Sequence, residues 1–393
     1  MNTTFSAANR TLELMRYPSK AQHPSLQAWG SEDELVLNYL AEQNKLESQA
    51  LGRVLILNDE FGALGCGLSD VIDDNSVWQS DSHIGHLALQ DNLKRNELNA
   101  TFSIVNSITP LEGNFDTVLL KLPKSNHYLQ HILTQLTHHV TDKSQVIAFG
   151  KTKAVTSSIL TQFDTVLGKT TTSLAVKKSR LIFCTPALSK LNAASFNHTD
   201  RRWSIDKSYT GNSLTLCNLA NVFAAKSLDI GARFMLDNLP PFNDENILDL
   251  GCGNGVLGLV TLVQSHNSQV TFADESYMAV ESAKRAVIEN IPDKLEQTHY
   301  LVDNCLESAT KSIYTHNFDR ILCNPPFHQQ NTLTDHIAWQ MFNDAKACLK
   351  KGGKFLVVGN RHLDYHEKLK RVFGGTKIVA SNAKFVILEV VKR

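Results

Sequence analysis

Residues 247–258 read ILDLGCGNGVLG, and residues 54–65 read VLILNDEFGALG. Each is a short apolar run, a turn ending in glycine and the start of a second apolar segment. The likeness continues downstream in unbroken order. VWQSDSHIGHLALQDNLKRN (77–96) matches VTFADESYMAVESAKRAVIEN (270–290), and FDTVLLKLPK (115–124) matches FDRILCNPPF (318–327). SQVIAFGKTK (144–153) then matches GKFLVVGNRH (353–362), and SRLIFCT (179–185) matches AKFVILEVV (383–391). One matched apolar strand is common, whereas five in the same order signal an internal duplication.

Within each copy, short β-branched runs alternate with longer amphipathic stretches. Ala279, Val280, Ala283, Ala286 and Val287 recur at helical spacing after the strand VTFAD. This is the pattern of βαβ units and of an α/β fold with mostly parallel sheets carrying helices on both faces. Two tandem domains are expected, 1–188 and 205–393, joined by a linker over 189–204 that begins in the polar SKLNAASFNHTDRRW.

Composition narrows the class. The 393 residues suit two cores, and 42% hydrophobic with 20% charged content is ordinary for a globular chain. Lys plus Arg equals Asp plus Glu at 39 each, which excludes a chain basic throughout but leaves room for a local basic face. The seven cysteines are scattered without a CxxC pair, so neither a disulfide framework nor a metal site is expected. No apolar run approaches membrane-spanning length and the N-terminus lacks an apolar signal core, so a cytoplasmic protein without a membrane partner is expected.

In the second copy the turn Gly251, Cys252, Gly253, Asn254, Gly255 is only a loose version of a dinucleotide fingerprint. Asp249, inside the strand just before it, would repel a phosphate and welcome a cationic amine. Asp274, with Glu275 and Ser276, ends the next strand and suits a ribose diol, the alternative for Asp274 being a helix N-cap. Asp303 and Asn304 follow the third strand and suit an adenine edge. An amino-acid end, a ribose and a base without phosphate describe S-adenosylmethionine better than a nicotinamide dinucleotide.

The loop Asn324, Pro325, Pro326, Phe327 leaves the fourth strand. The Asn324 side-chain oxygen and the Pro325 carbonyl are both acceptors, suited to the two hydrogens of a planar exocyclic amine. Phe327 offers a stacking face for the base. The chemistry expected is N-methylation of a base amine or a carboxamide, although Asn-Pro-Pro also makes an ordinary turn.

ILDLGCGNGVLGL and ILCNPPFHQQ resemble S-adenosylmethionine-dependent methyltransferases with an Asn-Pro-Pro-Phe/Tyr loop, and VFAAKSLDIGARFML (222–236) resembles the ribosomal RNA guanine-N2 branch. The duplicated plan, the opening LELMRYPSKAQHPSLQAWGSEDELVLNYL and the ending NRHLDYHEKLKRVFG are most similar to its large-subunit members. The resemblance implies two Rossmann-like class I methyltransferase domains and seven-stranded sheets with an antiparallel last hairpin. It also implies that Phe223, Asp229 and Gly231 lie near the cofactor or target, with packing of a lead-in helix as the alternative. Arg361 and His362 follow the fifth strand, where they could touch RNA. The implied activity is methyl transfer to the N2 of a guanine in 23S rRNA, and a monomer is expected. A 16S rRNA guanine, a protein glutamine and a non-catalytic RNA-binding assembly factor stay open as alternatives.

The first copy should be silent. Ile56, Asn58 and Glu60 stand where the second has Asp249, Gly251 and Gly253, and Lys121, Leu122 and Lys124 where it has Asn324, Pro325 and Phe327, while Asp81 stands opposite Asp274. Its expected role is to position RNA through Lys121, Lys124, Lys151, Lys153, Lys177, Lys178 and Arg180.

Overall fold

The computed structural model describes residues 2–19, 26–47, 50–192, 200–326 and 332–393. Its contacts divide the chain into two compact units, Met1–Thr199 and Asp200–Arg393.

Each unit is built on a seven-stranded sheet of one topology. In the first, the strands run across the sheet as Ser103–Asn106, Val77–Ser80, Val54–Leu57, Thr117–Lys121, Gln145–Lys151, Ser179–Cys184 and Thr170–Thr172. In the second, they run as Thr298–Val302, Gln269–Asp274, Asn246–Leu250, Phe318–Cys323, Leu349–Asn360, Phe385–Val391 and Lys377–Ser381. The first five strands of each unit pair in parallel, and the last two join antiparallel. The near-continuous apolar runs read in the sequence are what a sheet covered on both faces requires. Ile247, Leu248, Ile321, Leu322, Phe355 and Leu356 are fully buried in the second unit, and Val54, Ile56, Leu119 and Ile147 in the first.

Each unit also carries a two-stranded hairpin, Thr4–Ala7 with Arg10–Glu13 and Arg201–Ile205 with Leu214–Asn218. Residues 201–204, expected in the linker, therefore belong to a strand.

The register corrects one pairing of the copies. Ile56 lies opposite Trp78, and Asp249 opposite Phe272, so Ser80 rather than Asp81 occupies the place of Asp274. The caps agree, since Ser82 and Ser276 each start the next helix by accepting an amide three residues on. Asp81 is thus the counterpart of Glu275, and it accepts the Ser107 hydroxyl at 2.6 Å. The repeated Asp had hidden a one-residue offset.

In both sheets the strand order reverses between the first and fourth strands. An open parallel sheet forms its ligand crevice at the carboxyl ends of such a pair. In the second unit those ends carry the glycine turn and Asn324.

Candidate functional site

The glycine turn is fastened from beneath. Gly251 and Cys252 both donate their amides to the Ala273 carbonyl (2.8 and 3.0 Å), and Gly253 donates to Asp274 Oδ2 (2.9 Å). Asn254 is buried; its amide donates to Asn218 Oδ1 (3.0 Å), and its oxygen accepts the Val256 amide (3.3 Å). Asn218, in the hairpin of this unit, carries no sequence signal for that contact.

The glycines have two different jobs. Gly255 and Gly258 are packing positions: a Cβ would stand 2.6 Å from Ala283 Cβ and 2.4 Å from Phe272 Cε1. Gly251 and Gly253 have φ of +70° and +53°, and a Cβ on Gly253 would meet nothing within 4 Å. Gly253 therefore borders open space, whereas a Cβ on Gly251 would touch Met341 Cε at 3.4 Å. The first unit keeps the packing pair, as Gly62 and Gly65, and replaces the other two by Asn58, at φ +60°, and Glu60. The fold demands only half of the glycines.

Asp249 is 1% exposed, and its Oδ2 accepts the Gly258 amide at 2.9 Å. The other oxygen accepts no hydrogen bond from the described residues. Burial, partly offset by the Gly258 amide and reinforced by the nearby charge of Asp274, pushes the carboxyl up to about 7. In the first unit Asp59 performs the same tie from the turn, accepting the Gly65 and Leu64 amides (2.9 and 3.0 Å) and the Trp78 indole (3.2 Å).

Asp274 also accepts the Ser276 amide (3.0 Å), and the helix N-cap is Ser276, whose hydroxyl accepts from Ala279 (3.1 Å). Glu275 lies between them at the same strand end. Asp303 turns into its own loop, accepting from the Ser308 amide and hydroxyl and from the Ala309 amide. Asn304 is buried and donates to Glu307 (3.1 Å). The sheet thus brings Asp249, Asp274 and the turn together, while Asp303 and Asn304 shape the neighbouring loop.

Asn324 follows the fourth strand and is half-buried. Its Nδ2 donates to Asp229 Oδ2 (3.2 Å), and that same carboxylate oxygen caps the helix Ile230–Leu236 by accepting the Ala232 amide (3.1 Å). A carboxylate only accepts, so the contact fixes which end of the amide faces away. The remaining atom, Oδ1, is buried and has no partner among the described residues. An unpaired buried acceptor costs about 1–3 kcal/mol. Pro325 is buried and Pro326 exposed beside it; Phe327 lies outside the described residues. Gly231 is buried in the capped helix, Phe223 is 57% exposed ahead of it, and Arg361 and His362 are exposed in the short turn after the fifth strand.

The first unit lacks this arrangement and corrects the reading of its basic face. Leu120 and Cys323 hold the same register, so Lys121 stands where Asn324 does. Lys121 is 6% exposed, and its ammonium lies 2.8 Å from Asp33, 3.2 Å from Glu60 and 3.9 Å from Glu32. Burial alone would lower its pKa; Asp33 and Glu60 hold it raised. It cannot present charge to RNA. Lys151 and the exposed Lys177 pair with Glu32 (2.6 Å) and Glu34 (2.8 Å), whereas Lys124, Lys153 and Lys178 are exposed without an ion pair among the described residues. Lys121 reads as a surface residue in sequence because its acidic partners are 61 to 89 positions away.

Among the described residues no group of His, Cys, Asp and Glu could hold a metal, and no helix is long and apolar enough to cross a membrane.

Fold and site together define a class I methyltransferase-like chain in two tandem copies. The first unit matches the family model of the RLMG N-terminal domain over residues 2–188, and the second the Methyltransferase small domain over residues 213–389. A ribosomal RNA large subunit methyltransferase G from Alteromonas mediterranea is 47% identical, covering 100% of both chains. Those of Pseudoalteromonas atlantica and Aeromonas hydrophila are 45% and 46% identical, also over 100% of both. The T. thermophilus 16S rRNA N2 methyltransferase RsmC, solved with AdoMet and guanosine, superposes with a TM-score of 0.75 at 19% identity, covering 100% of this chain and 98% of that one, a likeness of fold. The chain belongs to the ribosomal RNA large subunit methyltransferase G family.

Proposed function

We propose that the second unit transfers a methyl group from S-adenosylmethionine to the exocyclic N2 of a guanine in 23S rRNA, in the cytoplasm. The observation that carries this reading is Asn324: Asp229 anchors its Nδ2 and leaves Oδ1 as a buried acceptor without a donor. A planar amine supplies that donor.

The residues of the turn fit the cofactor. The backbone of Gly253 borders space that a Cβ would intrude upon, and the second oxygen of Asp249 suits the ammonium of the methionine end. Asp274 suits the ribose hydroxyls. Bound S-adenosylmethionine supplies an electrophilic methyl group.

The chain's own residues hold the acceptor. Asn324 Oδ1 and the Pro325 carbonyl accept the two hydrogens of N2, drawing the nitrogen lone pair out of conjugation with the ring. Phe327 stacks the base, a contact worth about 1–3 kcal/mol. No strong base is required, because the amine attacks uncharged and sheds its proton afterwards. Extruding the guanine from its stack costs a few kcal/mol, least in a loop. The first unit neither binds cofactor nor catalyses, and its exposed Lys124, Lys153 and Lys178 favour phosphate contacts.

The test is incubation of the full chain with labelled S-adenosylmethionine and 23S RNA, 16S RNA or assembled subunits, followed by digestion to nucleosides. N2-methylguanosine from 23S RNA supports the reading, and label confined to 16S RNA or to protein overturns it.

A further inference from the structure

The second unit carries a cavity of about 500 Å³ outside the methyl-transfer site. Trp203, Tyr209 and Leu228 form its apolar wall, and Lys226, Ser208 and Arg233 its polar side. Trp203 comes from the hairpin strand Arg201–Ile205, and Lys226 and Leu228 from the lead-in to the helix Ile230–Leu236.

Three observations mark it as a ligand site. Lys226 and Arg233 are exposed, and neither forms an ion pair among the described residues. Asp206 also lines it, its carboxylate accepting the Ser208 amide (2.7 Å), while Asp237 accepts the Tyr209 hydroxyl (2.8 Å), so two cations stand against one lining carboxylate. The indole Nε1–H of Trp203 is buried without an acceptor among the described residues, so no hydrogen bond from them holds the ring that walls the cavity.

The cavity shares a helix with the residue that anchors Asn324. Arg233 lies one helical turn beyond Asp229, donating its amide to the Asp229 carbonyl at 2.8 Å. Asp229 in turn holds Asn324. Phe223 and Ile230, near Lys226 and Asp229 in the chain, are 57% and 59% exposed apolar side chains. Aromatic rings with unpaired cations are the chemistry that binds single-stranded nucleic acid: bases stack and phosphates pair.

We infer that this cavity is a second nucleotide subsite, seating the base of a single-stranded nucleotide flanking the target guanine against Trp203, with its phosphate on Lys226 and Arg233. The inference rests on the reading of the second unit as an RNA guanine methyltransferase. The subsite gives the enzyme a handle on the strand next to the reacting base, so RNA is bound better than a free nucleoside.

The experiment uses the full chain, a fluorescent guanine-containing RNA 12-mer and the Lys226→Ala/Arg233→Ala double variant. Anisotropy titrations over a salt series should show at least 10-fold weaker binding, with the slope of log affinity against log salt shallower by about 0.7 for each phosphate no longer neutralised. KM for RNA should rise correspondingly while kcat and the affinity for S-adenosylmethionine hold, which also reports an intact fold. For the base contact, Trp203→Leu should weaken the 12-mer and Trp203→Phe should largely restore it. Unchanged affinity and salt slope in the double variant, or equal loss in the Leu and Phe variants, would overturn the subsite. Failure of the underlying reading is distinct: wild-type chain would then bind RNA yet transfer no methyl group to guanine.

Discussion

Asp229 holds Asn324 with the oxygen that also caps a helix: Oδ2 accepts the Asn324 amide at 3.2 Å and the Ala232 amide at 3.1 Å. The orientation of the amine-gripping group is thereby coupled to the start of the helix Ile230–Leu236. Asp229→Ala should cost about 1 kcal/mol of stability for the lost cap. It should lower kcat for RNA methylation by about 10- to 100-fold, since the Asn324 amide loses its anchor and with it part of its preorganisation. Stopped-assay kinetics beside calorimetric melting separate the two effects. A loss of stability with unchanged kcat would mean that Asp229 is a cap and nothing more.

Gly253 and Gly258 should respond differently to one methyl group. A Cβ at Gly258 stands 2.4 Å from Phe272 Cε1 inside the core, so Gly258→Ala should destabilise the second unit by about 1–3 kcal/mol. Gly253→Ala pays only the left-handed backbone, about 1–2 kcal/mol, with open space ahead of it. Its larger effect should be on cofactor affinity, measured by isothermal titration. Undiminished affinity in Gly253→Ala would remove the turn from the cofactor site.

Asp249 gives the cofactor-free chain a pH dependence of defined sign. Its carboxyl is pushed up from the ordinary value to about 7, with burial the main cause. The folded form therefore binds a proton that the unfolded form releases between about pH 4 and pH 7, and stability falls as pH rises through that window. Asp249→Asn keeps an acceptor for the Gly258 amide and removes the ionisation. The melting temperature of the second unit should drop less between pH 5 and pH 8 in the variant than in the parent. Parallel curves would show that Asp249 ionises without cost.

Lys121 should be structural. Lys121→Met leaves Asp33, Glu32 and Glu60 facing one another without their cation, and losing one partner of a buried ion pair costs about 3–5 kcal/mol. Burial pushes Asp33 up to about 6 even with Lys121 beside it, so the cost should grow as pH rises and the acids ionise. Urea unfolding at pH 5 and pH 8 measures it. An unperturbed variant with weakened RNA binding would restore Lys121 to the RNA face.

The duplicated sheet was legible because strand order and apolar runs repeat in register along the chain. Asp249, the glycine turn and Asn324 were legible for a related reason: the first copy builds the same sheet edge without them. What escaped was the long-range polar pairing. Nothing local connects Lys121 to Asp33 or Asn254 to Asn218. The one-residue slip of Asp81 against Asp274 has the same origin, since identical residues mask an offset that only the register Ile56–Trp78 and Asp249–Phe272 reveals.

The most direct test of the central claim compares wild-type chain and Asn324→Ala in methyl transfer from labelled S-adenosylmethionine to 23S RNA, with the product identified after digestion. The account expects N2-methylguanosine from the wild type and about 100- to 1,000-fold less from Asn324→Ala, at unchanged cofactor affinity and with a melting temperature no lower than the parent's, since the variant sheds the unpaired Oδ1. Equal N2-methylguanosine from both proteins would contradict it.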